Sequence, residues 1–353
     1  MSIEHPYYNQ SGHGPFETHD IGALVLEEGG TLRNCMVAYA TYGKLNAARD
    51  NAILVTTWYT GTSKIMEQLH IGEGRALDPA KYFIVIVIVN QIGSGLSSSP
   101  SNTAAPFNGP HFPKVRIGDD VRAQHRLLTE KFGITQLALV FGGSMGAQQT
   151  YDWAVAYPGF VKRAAALAGT ARNPAHTVVM GEVIAGLFAA DSAFRQGHYA
   201  DSAALHAALR QHATYFSVIG WCPAFFANET WRGLGFSSLD DFISGFMHAF
   251  FLPMDPNNLL CQAWKWRRGD VGRHAGGDLA AALGRITARM SVLPIETDLI
   301  FPPELCEAEA RLIPNARFRV IKSQAGHLGL FGVEPDYMTQ LDAELNELLD
   351  IAA

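Results

Sequence analysis

A serine between small residues is the first feature of this chain that could carry chemistry. The stretch LALVFGGSMGAQQTYDWAVAYP covers residues 137–158 and places Ser144 at the centre of Gly142-Gly143-Ser144-Met145-Gly146. An apolar run precedes this G-x-S-x-G pattern and helix-like residues follow it, which is the context of a nucleophile elbow. The glycines let strand and helix pass without a Cβ clash. The alternative interpretation is an ordinary glycine-rich turn between a strand and a helix.

A serine nucleophile needs a base that is itself oriented by an acid, and with this elbow the chain order is Ser, acid, His. His327 in AGHLGLF follows a strand-like run and precedes the last helix, so it is the candidate base. Asp298 in IETDLIFPP follows a predicted strand by two residues and is the candidate acid. Glu296 is its competitor, but it belongs to the strand end. The alternative role for Asp298 is that of a turn or helix N-cap residue.

Acyl chemistry at a serine also requires two backbone N–H groups that stabilise the oxyanion. Met145, the residue directly after Ser144, supplies one of them. The second should come from the loop of residues 56–61, which follows an early apolar run. We expect the donor to be the N–H of Tyr59, and we expect the side chain of Trp58 to form pocket wall.

The elements that must position these residues alternate between strands and helices. FIVIVIV, within Tyr82–Val89, is continuously apolar and β-branched, as in a strand that is buried on both faces of a parallel sheet. The alternation predicts an α/β fold with a mostly parallel central sheet flanked by helices. The other predicted elements are strands at 52–57, 137–142, 163–169 and 288–296, helices at 119–133, 147–158 and 335–350, and an antiparallel pair turning at Gly29-Gly30.

The alternation stops between about Asn173 and Leu283, where the segments are helical and aromatic. A helical block inserted into an α/β chain predicts a cap over the carboxyl edge of the sheet. The predicted division is therefore a core of residues 1–172 and 284–353 and a cap of residues 173–283. We expect the cap aromatics to be core, with some lining an apolar pocket: Phe216, Trp221, Phe225, Phe226, Phe246, Phe250 and Phe251.

Composition excludes several classes of partner. A net charge of −6 without a basic run argues against nucleic-acid or anionic-membrane binding. The N-terminus lacks a signal pattern, and no apolar run is long enough to span a bilayer. Four dispersed cysteines fit reduced thiols in a cytoplasmic protein. No spacing of His, Cys, Asp or Glu residues indicates a metal site.

The segment GSGLSS at residues 93–98 resembles a dinucleotide-binding loop, but Ser98 replaces the third glycine and Pro100 blocks the helix that should follow. We therefore predict no cofactor and a loop near the mouth of the site.

Taken together, these motifs resemble the homoserine O-acetyltransferase family of α/β-hydrolase proteins. The resemblance covers nearly the whole chain and is carried by WYTG, HFPKVRIGDDVRAQHRLLTEKFGI, GGSMGAQQTYDWAVAYP, TDLIFPP and AGHLGLF. It implies an α/β-hydrolase fold with a helical cap, acyl transfer through an acyl-serine, and a homodimer formed through the caps. The family's nucleophile, acid and base correspond to Ser144, Asp298 and His327.

Departures from the family pattern favour hydrolysis over transfer. The acetyltransferases follow the histidine with an aspartate that helps to hold the amino group of homoserine, whereas this chain has Leu328. A leucine cannot pair with an ammonium group, and burying that cation unpaired is costly. The helix after the elbow also starts differently, with Ala147 and Gln148. GDVGR, at residues 269–273, together with TDLIFPP resembles the esterase branch of the family.

The prediction is a serine esterase that hydrolyses short-chain acetyl esters and contacts its small-molecule substrate through Trp58 and Leu328. The alternative is a homoserine O-acetyltransferase that uses acetyl-CoA. A non-enzymatic ligand receptor of the same fold would need a broken triad, and all three residue types are present.

Overall fold

The computed structural model describes residues 5–87 and 91–350 and is built around one large β-sheet. Within these ranges the strands are β1 (Glu17–Asp20), β2 (Leu24–Val25), β3 (Thr31–Leu32), β4 (Met36–Tyr42), β5 (Ala52–Thr56), β6 (Phe83–Val87), β7 (Leu139–Gly143), β8 (Arg163–Leu167), β9 (Arg289–Leu293) and β10 (Ala316–Phe318). Eight of them form the large sheet, in the order β1-β4-β6-β5-β7-β8-β9-β10. Pairing is antiparallel between β1, β4 and β6 and parallel from β6 to β10. The predicted mostly parallel sheet is confirmed.

The central strands are short and apolar because both faces of the sheet are covered. Every residue of β5 and of β7 is buried. This burial explains why these runs are continuously apolar in the sequence rather than alternating. The predicted strand Tyr82–Val89 corresponds to β6, and its last two residues lie outside the described residues.

Helices pack on both faces and fill the long connection between β8 and β9. They are α1 (Gln10–His13), α2 (Ser63–His70), α3 (Ile117–Arg126), α4 (Met145–Ala156), α5 (Ala175–Ala189), α6 (His206–Gly220), α7 (Pro223–Ala227), α8 (Leu239–Phe242), α9 (Ala249–Phe251), α10 (Pro256–Trp266), α11 (Leu279–Leu283), α12 (Pro303–Ala310) and α13 (Pro335–Asp350). Single turns of 3₁₀ helix and two π-helical turns join several of them. Helix α13 has the predicted bounds, and its buried face consists of Tyr337, Leu341, Leu345 and Leu348. No described helix has the length and apolar character that crossing a bilayer requires.

The antiparallel pair near Gly29-Gly30 is smaller than the sequence suggests. Only β2 and β3 form the hairpin, and both glycines adopt positive φ angles. The longer strand β4 joins the large sheet instead, between β1 and β6. Val37, Ala38 and Tyr39 of β4 are fully buried, so this strand gains more apolar burial in the sheet than a two-residue partner could give it.

We call residues 173–283 the insertion. Its described elements are all helical and run from α5 to α11. The apolar side chains of the insertion share one continuous hydrophobic cluster with those of the sheet and of α4, as Phe188, Phe216 and Phe251 pack in the same cluster as Met145. The exact domain boundaries at residues 173 and 283 stay a prediction.

Candidate active site

Ser144 stands at the sharp turn between β7 and α4. Its backbone has φ +56° and ψ −121°, a conformation that costs L-residues energy and that clusters at functional sites. The Ser144 N–H donates to the carbonyl of Leu167 in β8 at 2.9 Å, which fixes the turn. A Cβ atom on Gly146 would lie 2.6 Å from the Thr56 carbonyl oxygen, and one on Gly142 would collide with the Thr56 hydroxyl. The neighbouring strand β5 therefore requires both glycines.

The turn brings Ser144 to His327. Their contact joins Nε2 of His327 to Oγ of Ser144 at 2.9 Å, across 183 residues of sequence. His327 lies on a 3₁₀ turn spanning Gly326–Phe331. Both side chains are almost completely buried. This arrangement allows His327 to take the serine proton.

On its other side, His327 is oriented by Asp298. The distance from Nδ1 of His327 to Oδ2 of Asp298 is 2.7 Å. The second carboxylate oxygen of Asp298 accepts from the N–H groups of Ile300 and Phe301, at 2.8 and 2.9 Å. Glu296, the alternative acid, is exposed and accepts from the amide of Gln324. The structure thus places Asp298, and not Glu296, against the candidate base.

The predicted oxyanion donors lie beside the serine. Met145 is the first residue of α4, so its N–H has no acceptor within that helix. Tyr59 lines the same cavity as Ser144. Within the two described ranges, the N–H groups of Tyr59 and Met145 donate to no protein acceptor. Both donors are therefore free to bind an oxygen that develops negative charge.

We call residues 56–61 the oxyanion loop. The side chain of Tyr59 anchors this loop to the insertion. Its hydroxyl donates to the Leu259 carbonyl of α10 at 3.0 Å and lies 3.3 Å from Nε2 of His212 in α6. Because burial lowers the pKa of His212 to about 3, this imidazole is neutral at ordinary pH. The tyrosine hydrogen is directed to Leu259, so the contact with His212 requires the tautomer that carries its hydrogen on Nε2. The Tyr59 ring also stacks on Phe216 at a centroid distance of 5.4 Å. Core and insertion therefore meet at the loop that carries the donor.

A cavity opens above Ser144. Apart from the indole of Trp58 and the phenol of Tyr59, three of its lining side chains are polar, and none of the lining residues is Asp, Glu, Lys or Arg. Four of the seven insertion aromatics that the sequence analysis singled out face it, while Trp221, Phe225 and Phe226 pack elsewhere. The lining consists of Trp58, Tyr59, Thr60, Ser144, Phe216, Phe246, Met247, Phe250, Phe251, His327, Leu328, Leu330 and Phe331. Such a cavity suits a small, uncharged ligand with one reactive polar group.

Comparison with known proteins agrees with this geometry. The family model described as alpha/beta hydrolase fold matches residues 70–332. The chain is 57% identical to an ethyl acetate hydrolase of Pseudomonas veronii, over 98% of this chain and 99% of that protein. A solved acetylester hydrolase from Corynebacterium glutamicum is 48% identical, with a TM-score of 0.97 over 99% of this chain and 100% of that one. A homoserine O-acetyltransferase of Leifsonia xyli is 32% identical, covering 90% and 85% of the two chains.

The chain belongs to the α/β-hydrolase family. Within that family its similarity to ester hydrolases is much greater than its similarity to homoserine O-acetyltransferases. The structural match over almost the full length of both chains confirms the predicted fold class.

Trp58 and Leu328, the two predicted substrate contacts of this α/β-hydrolase, both line the cavity. The Leu328 side chain packs so closely on α6 that a Cβ atom on Gly220 would lie 2.7 Å from its Cδ1. An apolar side chain therefore fills the space between the base and the insertion, where the acetyltransferase pattern has an aspartate.

The predicted position of the loop at residues 93–98, near the mouth of the site, stays a prediction, and Ser94 lines a small cavity together with Tyr59 and Thr60. The loop at residues 93–98 does not line the cavity of Ser144. Instead, the hydroxyls of Ser97 and Ser98 accept from the backbone N–H groups of Ala38 and Met36 in β4. The two serines are recruited because the β4 backbone needs acceptors there. Among the described residues, no group of three or more His, Cys, Asp or Glu side chains could hold a metal ion.

Sequence reasoning missed a polar residue behind the oxyanion loop. The amide of Gln91, which is 1% exposed, donates to the carbonyls of Thr57 and Trp58. Gln91 belongs to no motif in the sequence, and its role depends on a loop more than thirty residues away. Only its position just after a buried strand could have drawn attention to it.

Proposed function

We propose that Ser144 is the nucleophile with which this carboxylic ester hydrolase cleaves short-chain acetyl esters. The observation that supports this most strongly is the continuous contact from Asp298 through His327 to Ser144, at 2.7 and 2.9 Å, beneath a cavity without charged lining. The names of the two similar ester hydrolases point to the same substrate class.

In the first half of the reaction, Nε2 of His327 accepts the Ser144 proton as Oγ attacks the ester carbonyl carbon. The carbonyl oxygen becomes an oxyanion, which the N–H groups of Tyr59 and Met145 stabilise. Asp298 stays ionised and holds the imidazolium through Nδ1–H. As the tetrahedral intermediate collapses, the C–O bond to the alcohol breaks and His327 gives its proton to the departing alkoxide.

In the second half, water replaces the alcohol. His327 removes a proton from that water while its oxygen attacks the acyl carbon bound to Ser144. The oxyanion occupies the same two N–H groups. Collapse breaks the bond to Oγ, returns the proton to Ser144 and releases the carboxylic acid. The reaction consumes one ester and one water and needs no cofactor.

The decisive experiment compares wild type and Ser144→Ala on p-nitrophenyl acetate and ethyl acetate. We expect kcat to fall roughly 10⁴-fold or more in the variant, because removing the nucleophile leaves only binding and the oxyanion donors. A fluorophosphonate probe should label the wild type and not the variant. Wild-type turnover by a folded Ser144→Ala protein would contradict the assignment. An ester series varied separately on the acyl and alcohol sides then defines the preferred substrate.

Acetyl transfer to homoserine is the competing function, since water and an acceptor hydroxyl would compete for the same acyl-serine. The cavity offers the homoserine ammonium no carboxylate, as Leu328 stands next to the base. Incubation with acetyl-CoA and homoserine separates the two activities. We expect no O-acetylhomoserine, and its formation at a rate above ester hydrolysis would favour the transferase.

We further propose that the protein is a cytoplasmic homodimer formed through the insertion. Exposed apolar side chains on α5 and α6 support this surface: Val179 is 61% exposed and Val218 is 65% exposed. The four free cysteines fit a reducing compartment. Light scattering should give twice the chain mass for wild type and the single-chain mass for a Val179→Asp/Val218→Asp variant. A monomeric wild type would contradict the proposal.

A further inference from the structure

A buried polar cluster lies directly behind the oxyanion loop, and Gln91 is at its centre. The Nε2 group of Gln91 donates to the carbonyl oxygens of Thr57 and Trp58, at 3.0 and 3.2 Å. Gln149 donates to Thr57 as well, at 3.0 Å. The Trp58 carbonyl accepts from the Gln91 amide and from the backbone N–H of Gly61, at 3.1 Å. Among the described side chains, Gln91 is therefore the donor that supports the turn at this peptide group.

That peptide group carries the oxyanion donor. The carbonyl of Trp58 and the N–H of Tyr59 belong to the same planar trans peptide, so they point in opposite directions. A donor that holds the carbonyl from behind consequently aims the N–H forward into the cavity. A hydrogen bond to the carbonyl also polarises the peptide and strengthens its N–H as a donor.

Lys265 of the insertion determines which way the Gln91 amide faces. Its ammonium lies 3.3 Å from Oε1 of Gln91 and donates to the Ile92 carbonyl at 2.8 Å and to Oδ2 of Asp120 at 2.6 Å. A flipped amide would turn its NH₂ group toward the ammonium and its oxygen toward two carbonyl oxygens. Both contacts would be repulsive in a site that excludes water, so only one orientation of Gln91 is stable.

Asp120 completes the cluster and ties it to the core. Its second oxygen, Oδ1, accepts from the Ile92 N–H at 2.8 Å. The side chains of Lys265 and Asp120 are 0% and 1% exposed. A buried ion pair is often no more stabilising than apolar side chains of the same volume. Its presence is therefore better explained by the orientation that it imposes on its neighbours than by a gain in stability.

We propose that Gln91 is a positioning residue for the oxyanion hole and that the buried Lys265–Asp120 pair holds its amide in the working orientation. The proposal rests on the proposed ester hydrolysis at Ser144. It assigns to the insertion a task beyond pocket formation, since Lys265 on α10 sets the direction of a backbone donor in the core.

The first test replaces Gln91 by methionine, which has a similar length and no amide. We expect kcat for p-nitrophenyl acetate to fall about tenfold to a hundredfold while KM changes less than about twofold, because a misaimed donor loses part of the effect of a deleted one. The affinity for an alkyl trifluoromethyl ketone, whose Ser144 adduct places an oxyanion in the hole, should fall by the same factor as kcat/KM.

Gln262→Met is the matched control. Gln262 is equally buried and its amide donates to the Ile92 carbonyl, in the same cluster, whereas the Trp58 carbonyl accepts from Gln91. We expect this variant to keep wild-type kcat. Equal losses in Gln91→Met and Gln262→Met would overturn the proposal, because they would show that the cluster acts only through general packing. Wild-type kcat in Gln91→Met, or a change confined to KM, would overturn it too.

A second variant leaves Gln91 in place and tests the proposal even if the Gln91→Met protein does not fold. The double substitution Lys265→Met/Asp120→Asn removes both buried charges together and keeps an acceptor for the Ile92 N–H. We expect a thermal midpoint close to that of wild type with kcat at least fivefold lower. A stable double variant with wild-type kcat would contradict the proposal. If the fluorophosphonate probe does not label Ser144 of the wild-type protein, the proposed function itself is refuted. Failure of the positioning proposal and failure of the proposed function are therefore distinguishable.

Discussion

The two walls of the cavity differ in chemistry as well as in origin. The wall from the core carries the polar side chains Thr60, Ser144 and His327, and it also includes Trp58 and Tyr59. The wall from the insertion is wholly apolar and consists of Phe216, Phe246, Met247, Phe250 and Phe251. In the proposed mechanism, the core therefore holds the reacting atoms, and we expect the insertion to set which substrate fits against them.

The mode of attachment explains this division. Ser144 and Asp298 follow strand ends, and backbone N–H groups fix the turn of one and the carboxylate of the other. Such positions hold atoms to within the narrow tolerance that proton transfer requires. Aromatic side chains of helices pack by shape, so replacing them changes the cavity gradually. We expect substitution of Ser144 or His327 in the core wall to abolish turnover and substitutions in the insertion wall to change selectivity.

Asp298→Asn should give the largest effect. Asparagine can still accept from the N–H groups of Ile300 and Phe301 through its oxygen, but its NH₂ group then faces Nδ1 of His327 and favours the wrong tautomer. We expect kcat to fall by roughly 10⁴-fold with little change in the circular dichroism spectrum. Glu296→Gln, at the exposed alternative acid, should stay within twofold of wild type. A large loss of kcat in Glu296→Gln with wild-type kcat in Asp298→Asn would mean that Glu296, and not Asp298, is the acid that orients His327.

Phe250→Ala tests whether the insertion wall sets the size of the substrate. Removing this ring enlarges the cavity without touching Ser144 or His327, so longer esters should gain relative to ethyl acetate. A change of one or two methylene groups in a pocket corresponds to about 10–200-fold in selectivity, and we expect the ratio of kcat/KM values for butyl acetate and ethyl acetate to rise about tenfold or more. Phe226→Ala, in the same insertion but outside the lining, is the control. An unchanged ratio in Phe250→Ala would mean that the insertion does not set substrate size.

Leu328→Asp tests the boundary between the two walls, where the base meets α6. A carboxylate there gives the ammonium of O-acetylhomoserine a partner and places an anion against uncharged alkyl esters. Charge-assisted contacts contribute roughly 1.5–3 kcal/mol, so the ratio of kcat/KM for O-acetylhomoserine to that for ethyl acetate should rise about tenfold. Leu328→Asn, which has the same shape without the charge, should leave the ratio near wild type. If the ratio falls in a folded Leu328→Asp variant, Leu328 does not set the acceptor class.

The smallest expected effect concerns the joint between core and insertion. Glu309 on α12 accepts from the N–H groups of Ala171 and Arg172, where the chain leaves β8 for the insertion. Burial raises the pKa of Glu309 from 4.5 to about 7. The folded protein therefore binds a proton on the Glu309 carboxyl more tightly than the unfolded chain does. The protonated carboxyl contributes fully to the free energy of unfolding below pH 4.5, and this contribution is lost as the pH rises through 7.

Urea unfolding at pH 5 and pH 8 measures that contribution. We expect wild type to lose about 2–3 kcal/mol more than Glu309→Gln between these two pH values. Glu304→Gln, on the same helix but exposed, should behave as wild type. If the free energy of unfolding depends on pH in the same way in wild type and in Glu309→Gln, ionisation of this carboxyl does not destabilise the fold.

The local turns and the buried strand and helix faces of this protein were predictable from the amino-acid sequence. The G-x-S-x-G turn, the buried runs that became β5 and β7, and the face of α13 all follow from patterns within a few residues of each other. Backbone sterics and burial act over that range, so the elbow at Ser144 and the loop at Tyr59 were predictable. The order of serine, acid and histidine supplied the candidates Asp298 and His327.

Which of these candidate residues come into contact depends on the tertiary fold. Asp298 and Glu296 differ by two residues in sequence, yet the turn after β9 buries one and exposes the other. The contact between Lys265 and Gln91 spans 174 residues and joins a helix of the insertion to a loop of the core. A buried amide or ammonium has no periodic pattern and no local partner, so its role exists only once the fold has excluded water around it.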